Sequence, residues 1–198
     1  MKTFLTADWH LGEDRFQLMG RAFSSVEEHN ETLIERHNKI VGPDDQVIVV
    51  GDAVYQKAPK YLSLVSRFNG HKTLIRGNHD RIFGDKDLYP YFERVISEGD
   101  GLDLQIGGID CYATHYPTLA KVRKFNLIGH IHGAWKYQLN MFNVGVDTNC
   151  FYPVDLEAIP FHFTAIRDFY DDDVWAAYLD QNLNYRQLRG KPGSYFHG

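Results

Sequence analysis

QVIVVGD, residues 46–52, limits what this chain can fold into more than any other stretch. Four β-branched residues in a row leave a strand with no polar face, so it must be covered on both sides. A chain with such a strand needs layers around it, and the neighbouring segments supply them. KTFLTA, residues 2–7, reads as a short strand ending at Asp8. Residues 24–41 read as a helix. Ser24–Glu27 and Ser25–Glu28 both fit a capping box, Val26, Leu33, Ile34 and Ile40–Val41 form the apolar stripe, and Gly42-Pro43-Asp44 stops it. A second helix is expected over 58–69, from Leu62, Val65 and Phe68, and a buried strand over 72–80.

The later part of the chain is richer in strands. Residues 95–117 read as strand, turn and strand, with Gly107-Gly108 at the turn. FNLIGHIHG (125–133) and residues 139–147 add further strands, and residues 160–183 one or two helices. The run Asp171-Asp172-Asp173 suits a helix N-terminus and lacks the spacing of a calcium loop. GKPGSYFHG closes the sequence as a loose tail. The order βαβαβ, then mostly β, then helix fits an α/β domain of stacked sheets with helices outside, one domain spanning residues 1–198.

Bulk properties narrow the function classes. The chain is 43% hydrophobic and 24% charged, so it can build a core. A net charge of −5 argues against a surface that coats nucleic acid or an anionic membrane. The small basic run Lys121, Arg123 and Lys124 reads as a solvated face. No stretch nears the roughly 18 apolar residues of a membrane helix, and the N-terminal apolar part is too short for a signal-peptide core. Cys111 and Cys150, without a secretory signal, suggest reduced thiols and a cytoplasmic location.

The chain carries ten histidines, and five of them fall in short polar clusters. The clusters are Asp8-Trp9-His10, Gly51-Asp52, Gly77-Asn78-His79-Asp80, His115 and Gly129-His130-Ile131-His132, each directly after an expected strand. Ligand sites of α/β proteins gather at the carboxyl ends of strands, so five such ends point to one shared site. Strand alternation would let Asp8 and His10 face the site together with Trp9 turned away. It would do the same for His130 and His132 with Ile131 turned into the core. Carboxylate, imidazole and amide oxygen without thiolate favour manganese, iron, zinc, nickel or cobalt at a reactive centre over a structural zinc. Seven such donors exceed the need of one ion and suit two that share a carboxylate. His29, His37, His71, His162 and His197 read as surface or packing residues. Trp9 reads as core; Tyr116 as packing or as a cleft edge. Arg76 reads as a loop brace, and Arg81 as the better candidate for substrate phosphate.

In order, these blocks match D-x-H, G-D, G-N-H-[DE], H and G-H-x-H. The chain thereby resembles the calcineurin-like metallophosphoesterase superfamily, from residue 8 to residue 132, and its small bacterial and phage-type members in THYP and NVGVD. The resemblance implies a four-layer α/β/β/α sandwich of two mixed sheets and a centre of two divalent metal ions, with manganese favoured. It implies that Asp8, His10 and His132 hold one ion and Asn78, His115 and His130 the other, with Asp52 bridging. His79 would face the scissile phosphate instead of binding metal, and Asp80 would support the loop or orient His79. The implied chemistry is phosphoester hydrolysis by metal-activated hydroxide attacking in line, on a phosphodiester or a nucleotide-type monoester.

The resemblance has a limit. Ser/Thr protein phosphatases continue G-D as G-D-x-V-D-R-G, whereas residues 51–57 read GDAVYQK, which argues against a protein-phosphatase role. Two other readings remain. One is a nuclease on single-stranded nucleic acid; the other is a non-catalytic metal-binding scaffold, against which the presence of His79 speaks.

Overall fold

The apolar runs pair into two five-stranded mixed sheets in the computed structural model, which describes residues 1–138 and 140–169. The first sheet contains β1 (Thr3–Thr6), β2 (Gln46–Val50), β3 (His71–Ile75), β4 (Arg94–Ile96) and β10 (Val154–Asp155), in the order β10-β1-β2-β3-β4. Strands β1 to β4 are parallel and β10 is antiparallel to β1. The second sheet contains β5 (Leu102–Ile106), β6 (Ile109–Thr114), β7 (Phe125–Ile128), β8 (Tyr137–Gln138) and β9 (Met141–Asn143), in the order β5-β6-β7-β9-β8.

The run at β2 is covered on both faces, as its composition demands. Val47 and Val49 join Phe4 and Leu74 in one core, against Leu33 and Ile34 of helix α1 (Val26–Ile40). Ile48 and Val50 join Leu5 and Ile75 in the other, against Ala113, Leu127 and Phe142 of the second sheet and Ile159 and Ile166 of α3 (Ile159–Phe169). This is the mixed α/β architecture of two sheets with helices that the strand order predicts, consistent with the metallophosphoesterase fold. At the start of α1, Ser25 Oγ accepts the Glu28 N–H at 3.0 Å, while the Glu28 carboxylate takes the Ser24 N–H at 2.7 Å. Ser25 is thus the N-cap, and Glu28 closes on Ser24, in place of the expected Ser24–Glu27 box.

Several elements differ from expectation. Pro59–Arg67 winds as a 3-10 helix, because Leu62, Val65 and Phe68 recur every three residues and three residues per turn stacks them on one face. Residues 95–117 divide between the sheets: β4 pairs with β3, and the hairpin at Gly107-Gly108 joins β5 to β6. Of residues 139–147, Met141–Asn143 form strand. The short α2 (Asp85–Leu88) and β10 have too few residues to leave a periodic signal. The helix expected from Asp171 onward and the tail lie outside the described residues. No helix among the described residues is long and apolar enough to cross a membrane.

At one end the sheets are tied together. Ala7 and Gly145 form an isolated parallel bridge, and the Val146 N–H donates to the Ala7 carbonyl at 3.1 Å. The carboxyl ends of β1, β2, β3, β6, β7 and β9 meet there.

Candidate metal centre

Every polar cluster follows the strand that the sequence suggested. Asp8 and His10 come after β1, Asp52 after β2, Asn78 and His79 after β3, His115 after β6, and His130 and His132 after β7. Strand alternation does not aim them, however. Asp8 (φ 59°), His10 (φ 49°), Asp52 (φ 54°), His130 (φ 76°) and His132 (φ 50°) all adopt the left-handed backbone conformation. Such residues cost energy outside glycine and persist where the surroundings impose them, commonly at functional sites. Trp9 does turn into the core, where it stacks on Phe68 with ring centroids 4.2 Å apart. Ile131 does not: it stays half-buried on the wall of a cleft, because the left-handed residues on each side reverse the chain instead of extending it.

The donors converge on Asp52. Its Oδ2 lies 3.4 Å from His10 Nε2 and 3.3 Å from His115 Nε2. His10, Asp52 and His79 form one group, and Asp52, His115 and His130 another, whose potential ligand atoms all lie within 4.8 Å of one another. The His10 ring sits 4.8 Å from His132 and 4.6 Å from His79. Asp8 is fully buried, and both of its carboxylate oxygens accept the His130 N–H at 3.0 Å. His10 Nδ1 and Nε2, His115 Nε2 and Asn78 Oδ1 are buried with no hydrogen-bond partner. Buried polar atoms in proteins are almost always paired, so a cluster of unpaired imidazole and amide donors around one carboxylate fits divalent cations. Gly77 keeps this space open. A Cβ there would fall 2.2 Å from Asp52 Oδ1 and 2.7 Å from His115 Nε2.

The comparisons with known proteins agree with this geometry. Residues 1–144 match the family model described as calcineurin-like phosphoesterase. The chain belongs to that family. The chain is 40% identical over 88 residues to an uncharacterized protein of Methanocaldococcus jannaschii, covering 43% of this chain and 49% of that protein. It is 36% identical over 81 residues to the gene 66 protein of Mycobacterium phage L5, covering 39% of each. The matches thus span half or less of these relatives' length. A solved structure of a protein of unknown function from Aquifex aeolicus shares the fold, with a TM-score of 0.63 at 20% identity over 81% of this chain and 98% of that one. Members of the family are described as phosphoesterases.

Around the candidate donors stands a second set of residues that orients them. His115 Nδ1 donates to the Val50 carbonyl at 2.8 Å, which turns Nε2 toward Asp52. His132 Nδ1 donates to Asp147 Oδ2 at 2.9 Å, and Asp147 also grips Arg21 through two bonds, at 2.6 and 2.9 Å. Arg21, itself buried, reaches the carbonyls of Asp8 and Trp9 and leans on His29 Nε2 at 2.8 Å. That contact makes Nε2 the acceptor and leaves His29 Nδ1 to donate to Asn30 Oδ1 at 3.2 Å. Sequence reasoning missed Asp147 and Arg21 as site residues. Asp147 follows β9 through Gly145 and so carried the same strand-end signal as the other clusters, whereas Arg21 carried none. Asp80 acts on the backbone: its carboxylate takes the N–H groups of Asp52, Gly77 and Ala53 at 2.8, 2.9 and 3.1 Å. Of the two roles expected for Asp80, loop support matches these bonds.

Electrostatics mark the centre as short of positive charge. Burial pushes the Asp8 carboxyl up to about 6. Burial and the charge of Asp52 push Asp80 up to about 7, against its backbone donors. Burial also opposes ionisation of Asp52, yet His10 and His115 hold it far below the usual carboxylate range. Burial would lower His115, but Asp52 and Asp8 outweigh it and hold the imidazole at about 9.

The remaining expected site residues lie at the rim. Tyr116 donates its hydroxyl to Glu98 and meets His115 and His130 edge-on, with centroids 4.9 and 4.8 Å apart. Arg81 is exposed and pairs with the same Glu98. Arg76 braces its loop through the Phe83 carbonyl at 2.7 Å and Asp85 at 2.6 Å. Lys121 and Lys124 are both paired with Asp103. Cys111 is buried and Cys150 exposed, both as free thiols. His29 and His37 are buried packing residues, His71 pairs with Glu93 at the surface, and His162 bonds Tyr137.

Proposed function

We propose that the chain is a dinuclear phosphoester hydrolase acting on phosphodiesters or nucleotide-type monoesters. Asp8, His10 and His132 hold one divalent cation, and Asn78, His115 and His130 hold a second. Asp52 is shared between them, and manganese is the favoured metal. The observation that carries the reading is the convergence of the buried imidazoles of His10 and His115 on the Asp52 carboxylate, with Asn78 Oδ1 buried and unpaired on the next strand end. Bound cations would supply an acidified water and neutralise phosphate charge.

The chain's own groups do the rest. The Gln56 N–H points at His79 Nδ1 from 3.5 Å, which favours the tautomer with its proton on Nε2. That N–H can donate a hydrogen bond to the leaving oxygen and stabilise its charge as the ester bond breaks. The His79 backbone N–H donates to Asp52 Oδ1 at 2.8 Å, so the acid and the shared carboxylate keep a fixed spacing. Arg81, whose pairing with Glu98 uses Nε and Nη2, keeps Nη1 donors at the rim for the free phosphate oxygens, while Tyr116 commits its one hydroxyl proton to Glu98 and lies beside His130 as an aromatic wall.

Turnover of bis-p-nitrophenyl phosphate and p-nitrophenyl phosphate with added Mn²⁺ tests the reading. His79→Ala should keep both metals and lose about a hundredfold in kcat; Asp52→Asn should bind neither metal tightly and be inactive. An H79A protein that loses metal but recovers its full rate on replenishment contradicts the role of His79. No turnover with any divalent metal would favour a binding scaffold.

A nuclease reading draws on one cleft. Arg15, Lys57, Lys60, Tyr55 and Tyr61 line a space of about 470 Å³, and the Tyr55 ring is 5.4 Å from His79. Cations interleaved with aromatic rings suit a single strand. Affinity for single-stranded DNA or RNA that falls steeply with salt supports this reading, and salt-independent or absent binding removes it.

A further inference from the structure

The 3-10 turn Phe16–Met19 exposes an apolar side chain for which its own packing gives no reason. Phe16 anchors the turn in the core, and the Arg21 N–H closes it on the Phe16 carbonyl at 2.9 Å. Leu18, with 76% of its surface exposed, and Met19 then project beside the candidate metal centre. They form one wall of an open cleft of about 680 Å³, and Ile131 and Phe151 contribute further apolar surface. His132, Arg21 and Asp147 lie at the same cleft, so it is continuous with the metal centre through His132.

The cleft has a mixed lining, apolar along Leu18, Met19, Ile131 and Phe151, and no spare charge. Arg21 and Asp147 neutralise each other through two short bonds and are both buried, and His132 Nδ1 is committed to Asp147. A second phosphate would find no unpaired cation among these groups. An uncharged, flat or apolar body would find walls on two sides and a volume within the ordinary range for small-ligand sites.

We infer that this cleft is the subsite for an uncharged aromatic or nucleoside ester group of the substrate. The inference rests on the hydrolase reading and narrows its substrate class: aryl and nucleoside phosphoesters are preferred over small alkyl ones. Leu18 and Met19 set that preference, and neither is one of the proposed cation ligands.

The test uses diesters that share the p-nitrophenyl leaving group and differ in the other ester: methyl, phenyl and thymidine 5′. With manganese-loaded protein, kcat/KM should be about tenfold higher for the phenyl and thymidine esters than for the methyl ester. Leu18→Asp combined with Met19→Ser should erase that advantage through KM, leaving the methyl ester within about twofold of its original value. Equal kcat/KM for all three esters, or an equal loss on all three in the variant, overturns the inference. Calorimetric binding of thymidine 5′-monophosphate against methyl phosphate provides a readout independent of turnover. About tenfold tighter binding of the nucleotide, lost in the variant, supports the subsite, and equal binding overturns it. Absence of all hydrolysis with the binding preference intact would count against the hydrolase reading and not against the subsite. A change of oligomeric state in the variant with unchanged ester discrimination would assign the cleft to a second copy of the chain and overturn the inference.

Discussion

Gly77 measures how closely the centre is built. It has no side chain, and the space where one would start is taken by Asp52 and His115. Gly77→Ala should therefore displace the shared carboxylate and weaken metal binding more than tenfold, with the far-ultraviolet spectrum unchanged. Gly133→Ala, which meets nothing within 4 Å, should bind metal normally. Unaltered calorimetric affinity in G77A would show that the donors do not close on that point. At this scale the sequence was most informative. Ligand chemistry is a property of residue type, so the clusters that carry Asp8, His10, Asp52, Asn78, His115, His130 and His132 stood out before any fold was known, while setting His79 and Asp80 apart from the metal donors rested on the resemblance to the family. Backbone conformation is not such a property, and the left-handed geometry of Asp8, His10 and Asp52 had no signal beyond their position at strand ends.

Between β7 and β9 the chain carries two donors on a loop with little regular structure, and side chains hold it. Asn143 Nδ2 donates to the carbonyls of His132 and Trp135 at 2.8 and 3.0 Å, while its Oδ1 takes the Gly145 N–H at 2.8 Å. Asp147 then fixes His132 from the next turn. Orienting partners of this kind are worth about 10–100-fold in metal affinity. Asp147→Asn, which keeps an acceptor for His132, should lose less than Asp147→Ala, and calorimetric titration with Mn²⁺ should rank wild type, D147N and D147A in that order. Equal affinities would make Asp147 a purely structural partner of Arg21. Element legibility followed periodicity. Strands β1, β2, β3 and β7 were readable as apolar runs. The 58–69 segment was read as an ordinary helix because a spacing of three fits both windings over so short a span. Arg21 escaped notice because its partners lie far along the chain, at Asp8 and Asp147, and only folding brings them near.

For the molecule as a whole, buried imidazoles tie stability to pH at a distance from the metal centre. His37 is buried edge-on against the stacked Trp9 and Phe68 rings, with Nε2 donating to the Asn69 carbonyl at 3.0 Å, and burial lowers its pKa to about 4. The unfolded chain, with an imidazole near 6.5, binds more protons between these values. Stability from this group is therefore complete above pH 6.5 and is lost as pH falls toward 4. Denaturant unfolding at pH 7.5 and 5.0 should show a smaller difference in His37→Phe than in wild type, by about 2 kcal/mol; identical differences would mean that His37 titrates normally. The layered α/β architecture was legible from strand order, and the joining of the two sheets at Ala7 and Gly145 was not, since it pairs residues far apart in the sequence. That joining brings the six strand ends together, and two cations sharing Asp52 is the claim on which the functional account depends. Anomalous diffraction from crystals grown with excess manganese tests it most directly. The account predicts two peaks flanking Asp52, one among Asp8, His10 and His132 and one among Asn78, His115 and His130. A single peak away from Asp52, or none at the strand ends, would contradict it.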